Sequence, residues 1–280
     1  MNHVKLYNNT CLECSQLITQ RYSTSFSLGI RMFEKSLRKP IYAIYGFVRF
    51  ADEIVDTFHN HDKKALLDRF RADTYLAIDE KISLNPVLHS FQDIVNRYGI
   101  ERETIDAFLD SMEMDLNFNT YEDSLYKKYI YGSAEVVGLM CLRVFCHDYP
   151  GLYEELKDSA CALGSAFQKV NFLRDMRSDY QERGRVYFPG VDYMQFNDFI
   201  KKEIEEDIQR DFDFAYQGII RLPKGCRFGV YVAFKYYLNL FKKIKRAPAK
   251  KVTEERIRIP NRSKIYILGK SLIRSQLNIL

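Results

Sequence analysis

The chain contains no tryptophan, only 7 prolines and 13 glycines among its 280 residues, and neither an internal repeat nor a low-complexity tract. Such a composition confines expected disorder to the ends. No Asn-Gly or Asp-Gly dipeptide occurs, so the strongest short hairpin signal is missing. No run approaches the ~20 apolar residues that cross a bilayer, and Met1-Asn2-His3-Val4-Lys5 lacks the apolar stretch of a signal peptide. A strand followed by G-x-G-x-x-G is also absent, which removes the common dinucleotide fingerprint. Of the six cysteines, Cys11 and Cys14, with two residues between them, have redox- or zinc-like spacing but no second pair or Cys/His partner, and most others lie in apolar runs such as Leu139-Met140-Cys141-Leu142. Reduced thiols and a cytoplasmic location, with contact at the inner membrane face as an option, are the expectation.

What is present is 46% hydrophobic residues, 14% aromatic and 28% charged, enough for one large core. Apolar spacing is helical almost throughout. It predicts helices at about 8–21, 40–58, 62–79, 86–97, 101–117, 122–148, 151–180, 197–219, 224–246 and 261–277, with the prolines at or near the junctions. The expectation is a single all-α domain over residues 1–280. Net charge is +5, but residues 242–274 carry twelve Lys/Arg against Glu254 and Glu255. That basic stretch suits anionic lipid, nucleic acid or a polyphosphate, and equally a solvated helix face.

Two segments break the pattern of apolar buried helices. Residues 41–56 are hydrophobic nearly all round, yet at ~100° per residue Tyr45, Arg49, Asp52 and Asp56 fall on one stripe, with Glu53 pointing elsewhere. Residues 160–179 repeat the device with Gln168, Asn171, Asp175 and Asp179 on one face and Arg174 beside it. One Asp-x-x-x-Asp alone is usually a wet helix face. Two of them on apolar helices are not, because buried carboxylates need a cation. Oxygen ligands from Asp and Asn suit hard divalent ions, magnesium above all where phosphate completes the shell.

These residues resemble the squalene/phytoene synthase family. Asp52-Glu53-Ile54-Val55-Asp56 looks like its first aspartate-rich motif. Gln168 through Asp179, followed by Arg183-Gly184-Arg185-Val186-Tyr187-Phe188-Pro189, looks like its second, and Tyr22-Ser23-Thr24-Ser25-Phe26, Tyr131 and Gly138 add anchors in order over about residues 15–190. The resemblance implies an all-α isoprenoid synthase fold, a helical bundle around a central active-site cavity. It implies two or three Mg2+ ions, with Mn2+ as a substitute, held by Asp52, Asp56, Asn171, Asp175 and Asp179. Tyr22, Ser23, Ser25, Arg49, Tyr131, Gln168, Arg174, Tyr236 and Arg256 would meet the isoprenyl diphosphate substrates, and Tyr45 would line the chamber. Two departures stand out: Ser178 replaces a further acid of the second motif, and Glu135 follows Gly132-Ser133-Ala134 where relatives stay neutral.

The implied reaction joins two geranylgeranyl diphosphates 1-1′ to phytoene through a cyclopropylcarbinyl diphosphate. The alternative uses two farnesyl diphosphates to give dehydrosqualene or squalene. NADPH is not expected, and His3, His59, His61, His89 and His147 read as structural or surface groups. A non-catalytic helical scaffold would tolerate eroded aspartates, and all four stand. Nucleic acid is not expected as a partner, since it gives no reason for buried acid stripes.

Overall fold

The helical periodicity is realised along most of the chain in the computed structural model, which describes residues 3–117, 120–260 and 271. Helices α1 (His3–Tyr22), α2 (Thr24–Arg31), α3 (Lys35–Asp56), α4 (Lys63–Glu80), α5 (Pro86–Tyr98) and α6 (Arg102–Asn117) form the first half. They are followed by α7 (Asp123–Ile130), a π turn (Tyr131–Glu135), α8 (Val136–Phe145), α9 (Leu152–Arg183), a 3-10 turn (Tyr193–Gln195), α10 (Asp198–Ile219), α11 (Lys224–Lys245) and α12 (Ala249–Glu254). Among the described residues the sole β pairing is the isolated Thr120–Val186 bridge.

The two acid-bearing helices are the hubs of two halves. Helix α3 packs against α1, α4, α5, α6 and α8. Its Phe47 is fully buried, stacked on Phe91 at 3.9 Å between ring centroids and 5.5 Å from Phe70 and Phe108. Burying each such ring contributes about 1.5–3 kcal/mol. Helix α1 comes close to α3 because Gly46 has no side chain: a Cβ there would lie 2.8 Å from Ser15 Oγ. Helix α9 packs against α7, α8, α10, α11 and α12, with Val170, Leu173, Phe212 and Phe241 at its core. Local signals set the ends: Asn85 Oδ1 accepts from Val87 N, with Pro86 at the first helical position, and Ser23 Oγ accepts from Phe26 N.

The structure departs from the sequence reading in several places, among them the unexpected 6-residue α12. Helix α2 was not expected; it is 8 residues long, too short for periodicity to show against its neighbours. The predicted 122–148 helix is broken into α7, the π turn and α8. Helix α3 begins at Lys35, so Pro40 lies inside it rather than at its start, leaving the Ser36 carbonyl without its usual donor. The predicted 261–277 helix lies outside the described residues apart from Ser271. No helix among the described residues is long and apolar enough to cross a membrane.

Candidate active site

Helix α3 presents Tyr45, Arg49, Asp52 and Asp56 at steps of three and four. Arg49 binds both Asp52 and Glu53, so Glu53 reaches the same cation rather than pointing away. Burial pushes the Asp52 carboxyl up to about 6, against the pull of Arg49 and helped by the charge of Asp56. Burial likewise pushes Tyr45 up to about 12, although Arg49 and a hydrogen bond with Ser23 favour its ionised form.

Helix α9 runs three residues further than predicted, and the extension matters. Its last turn adds Arg183 to the stripe of Gln168, Asn171, Asp175 and Asp179. Arg183 bridges the two helices: Nη1 is 3.1 Å from Asp179 Oδ1 and Nε is 3.4 Å from Asp56 Oδ1. The two rows of aspartate therefore face each other. Burial first, then the charges of Asp175 and Asp56, push Asp179 up to about 7. Asp175 is held by Arg174, with Nε 3.0 Å from Oδ1, and by Arg256, whose Nε lies 2.7 Å from the same oxygen. Gly184 closes the helix with φ 66°, and the Arg185 amide donates to Asp179 O at 2.9 Å. That left-handed turn swings Arg185 back until Nη1 is 3.0 Å from Asp56 Oδ1.

Behind the rows lies a cavity of about 320 Å³. Tyr45, Gln168, Asn171 and Tyr237 contribute its polar groups next to the aspartates, and the Tyr237 hydroxyl donates to Asn171 Oδ1 at 3.3 Å. Farther in, the walls are apolar, with Phe26, Phe33, Phe145, Leu163 and Phe167 among them. An end of paired aspartates and arginines thus opens onto an apolar slot.

A squalene/phytoene synthase family model matches residues 19–263. The chain belongs to that family. A phytoene synthase of Arthrospira platensis is 29% identical, covering 94% of this chain and 93% of its own. A 4,4′-diapophytoene synthase of Staphylococcus haemolyticus is 30% identical over 69% of this chain and 67% of its own. This squalene/phytoene synthase family chain spans 60% of the length of a chloroplastic phytoene synthase of Zea mays, 28% identical over the 81% of this chain that matches. Among solved structures, a dehydrosqualene synthase in complex with a ligand superposes with a TM-score of 0.81 at 20% identity, covering 96% of this chain and 98% of that one. The likeness establishes the all-α isoprenoid synthase fold.

Within that fold, the family residues divide. Asp52, Asp56, Asp175, Asp179, Arg49, Arg174, Gln168, Asn171 and Tyr45 gather at the cavity end described above. Arg256 joins them through Asp175, and Tyr236 stands edge-on to Tyr237, near enough to Arg174 for its charge to be felt. Tyr22 is 51% exposed at the rim, with the Arg49 guanidinium 4.3 Å above its ring. Ser23 caps α2 and binds Tyr45, while Ser25 is half-buried two residues on. Tyr131 does not come along: it is 42% exposed and off the cavity wall, whereas Ser133 and Ala134 of the same turn line it. Tyr131 opens the π turn, whose wider winding re-aims its neighbours relative to a 3.6-residue helix. Tyr129, two residues earlier, is buried, with its hydroxyl 2.8 Å from Asp115 Oδ2.

Neither departure disturbs the rows. The Ser178 hydroxyl donates back to Asp175 O at 2.9 Å. Glu135 lies off the cavity, near Lys169 and Asp211, and burial pushes it up to about 7. Of the histidines, only His89 is buried, its Nε2 2.9 Å from Asn8 Oδ1. Arg183, Arg185 and Asp115 escaped the site reading. Arg183 was detectable as the next step of four after Asp179; the other two come together only in the fold.

Proposed function

We propose that this chain joins two geranylgeranyl diphosphates head to head to give phytoene, releasing both diphosphates. The observation that carries the reading is the pair of facing aspartate rows at the polar end of an apolar cavity. Asp52, Asp56, Asp175 and Asp179, with Asn171, form an all-oxygen donor set suited to Mg2+. Two features speak for the fit. Asp52 and Asp179 are held above the carboxylate range by burial and by each other's neighbours, a charge imbalance that a dication relieves. Arg49 Nε is buried without a hydrogen-bond partner beside Asp52, free for a diphosphate oxygen. Among the described residues no three acid, imidazole or thiol groups converge into a closed cage. Magnesium held by carboxylate pairs with phosphate oxygens in the remaining positions needs none. Bound there, the metal would neutralise the departing diphosphate.

The protein groups do the rest. Arg49, Arg174 and Arg256 take up diphosphate charge at the two walls, where the half-dry setting strengthens each contact. Loss of the first diphosphate leaves an allylic cation whose C1 alkylates the double bond of the second substrate, and the resulting cation closes to a cyclopropylcarbinyl diphosphate by losing a proton to a base or water. That intermediate ionises in turn, rearranges and loses a proton to yield the 1-1′ triene. Tyr45, Phe26, Phe167 and Tyr237 present ring faces and edges along the route, stabilising cationic carbon while excluding water. The high proton affinity of Tyr45 keeps it a neutral phenol.

A second reading rests on the diapophytoene synthase relative and the dehydrosqualene synthase neighbour: two farnesyl diphosphates joined by the same steps. Purified protein incubated with either diphosphate and MgCl2, without and then with NADPH, separates the two by product mass. A forty-carbon triene from geranylgeranyl diphosphate without NADPH is expected. Product from farnesyl diphosphate alone would select the second reading, and no product from either would remove both. The exposed Lys242, Lys243, Lys245, Arg246, Lys250 and Lys251 support docking on anionic lipid headgroups, which sedimentation with anionic vesicles at low salt tests.

A further inference from the structure

Asp115 is a buried carboxylate that the proposed reaction does not use. Its side chain is 5% exposed, beneath the π turn and away from the cavity. Three tyrosines donate to it: Tyr129 at 2.8 Å to Oδ2, and Tyr121 and Tyr187 each at 3.2 Å to Oδ1. Phe172 stacks on Tyr187 with ring centroids 4.2 Å apart, locking that shell sideways. The remaining neighbour is Arg185, also buried. Its Nη2 donates to the Asp115 carbonyl at 2.9 Å, and its Nη1 lies 3.6 Å from the Asp115 carboxylate and 3.0 Å from Asp56 Oδ1.

One guanidinium therefore serves two carboxylates, one deep and one in the acid row. If Arg185 belonged to Asp56 alone, it would neutralise the row's second aspartate and turn it away from any other cation. Shared with Asp115, it fixes the orientation of Asp56, and because Arg183 is likewise shared between Asp56 and Asp179, two guanidiniums face three carboxylates and the cluster stays net negative. Hydroxyls on the other lone pairs hold Asp115 too firmly to yield its share.

We propose that Asp115 is a positioning residue for the first aspartate row, acting through Arg185 on Asp56. It rests on the reading of the rows as a magnesium–diphosphate site. The test measures binding of inorganic diphosphate in excess MgCl2 by calorimetry, below the unfolding temperature, alongside kcat/KM. Asp115→Asn is expected to weaken that binding about 10- to 100-fold, as loss of an outer-layer partner typically does. Arg185→Lys, which keeps the charge but loses the fork, should match it, and adding Asp115→Asn to Arg185→Lys should cost less than about threefold more because both act on one contact. Combined with Asp175→Glu on the opposite wall, Asp115→Asn should multiply its full effect. A merely structural carboxylate would lower the melting temperature without this pattern.

Binding within about threefold of wild type in Asp115→Asn, or equal multiplication with Arg185→Lys and with Asp175→Glu, overturns the proposal. Should Asp115→Asn fail to fold, Arg185→Lys alone decides, and unchanged diphosphate affinity in it is the refuting result. Failure of the row reading shows differently: Asp56→Asn and Asp175→Asn would then both bind diphosphate with magnesium as wild type does.

Discussion

Gly29 offers a direct handle on substrate length. It lines the cavity from α2 and faces α11, where a Cβ would lie 3.5 Å from Gly229 O and 3.8 Å from Ala233 Cβ, ordinary contact distances. Gly229 and Ala233 line the cavity too, so a larger side chain at position 29 fills the slot rather than the core. Gly29→Val adds three carbons and displaces about three methylenes of guest hydrocarbon. At ~0.8 kcal/mol per methylene the loss is about 2.4 kcal/mol, roughly 60-fold in kcat/KM for a substrate that fills the slot. A substrate one isoprene unit shorter regains much of it. The assay compares geranylgeranyl with farnesyl diphosphate turnover in wild type, Gly29→Ala and Gly29→Val, with product lengths read by mass. An equal fall for both substrates, with the melting temperature unchanged, would refute the placement of the chain along this wall.

Other glycines leave no such room. Gly164→Ala puts a Cβ 2.6 Å from Ala134 O and Gly218→Ala puts one 2.3 Å from Ser159 Cβ; each should destabilise by about 1–3 kcal/mol in urea unfolding, whereas Gly29→Ala should not. Glu135 is held above its usual range, at about 7, chiefly by burial. The folded chain keeps that proton between about pH 4.5 and 7 while the unfolded chain has lost it, so this group's contribution to stability falls as pH rises through that window. Glu135→Gln should therefore melt higher than wild type at pH 8 and alike at pH 4; a constant difference across pH contradicts the buried, raised carboxyl. Asp52→Asn and Asp175→Asn should each abolish turnover with circular dichroism unchanged, and near-normal activity in either removes it from the metal set.

Much of this was legible in the residues because helices write their faces at a fixed period. Asp52 and Asp56 on an otherwise apolar segment, matched by Asn171, Asp175 and Asp179, announced two polar helix faces that the fold then set opposite each other. Periodicity reads one helix at a time, however, and the misses lie where helices meet or change pitch. Tyr131 was placed at the substrate by the resemblance alone, and it is 42% exposed at the start of a π turn that a 3.6-residue period does not foresee. Arg185 and Asp115 are 70 residues apart and meet only because Gly184 reverses the chain after α9. The start of α3 was placed at Pro40 because proline commonly opens a helix; here the preceding turn, with Arg38 Nε donating to Phe33 O at 2.8 Å, carries the helix through it.

The most direct measurement is anomalous X-ray scattering from crystals soaked with MnCl2 and inorganic diphosphate. Manganese peaks between the α3 and α9 carboxylates, with Arg183 withdrawn from Asp56 or Asp179, are the predicted result. Manganese bound elsewhere, or diphosphate seated in the site with both aspartate rows still closed on their arginines and no metal between them, would contradict it.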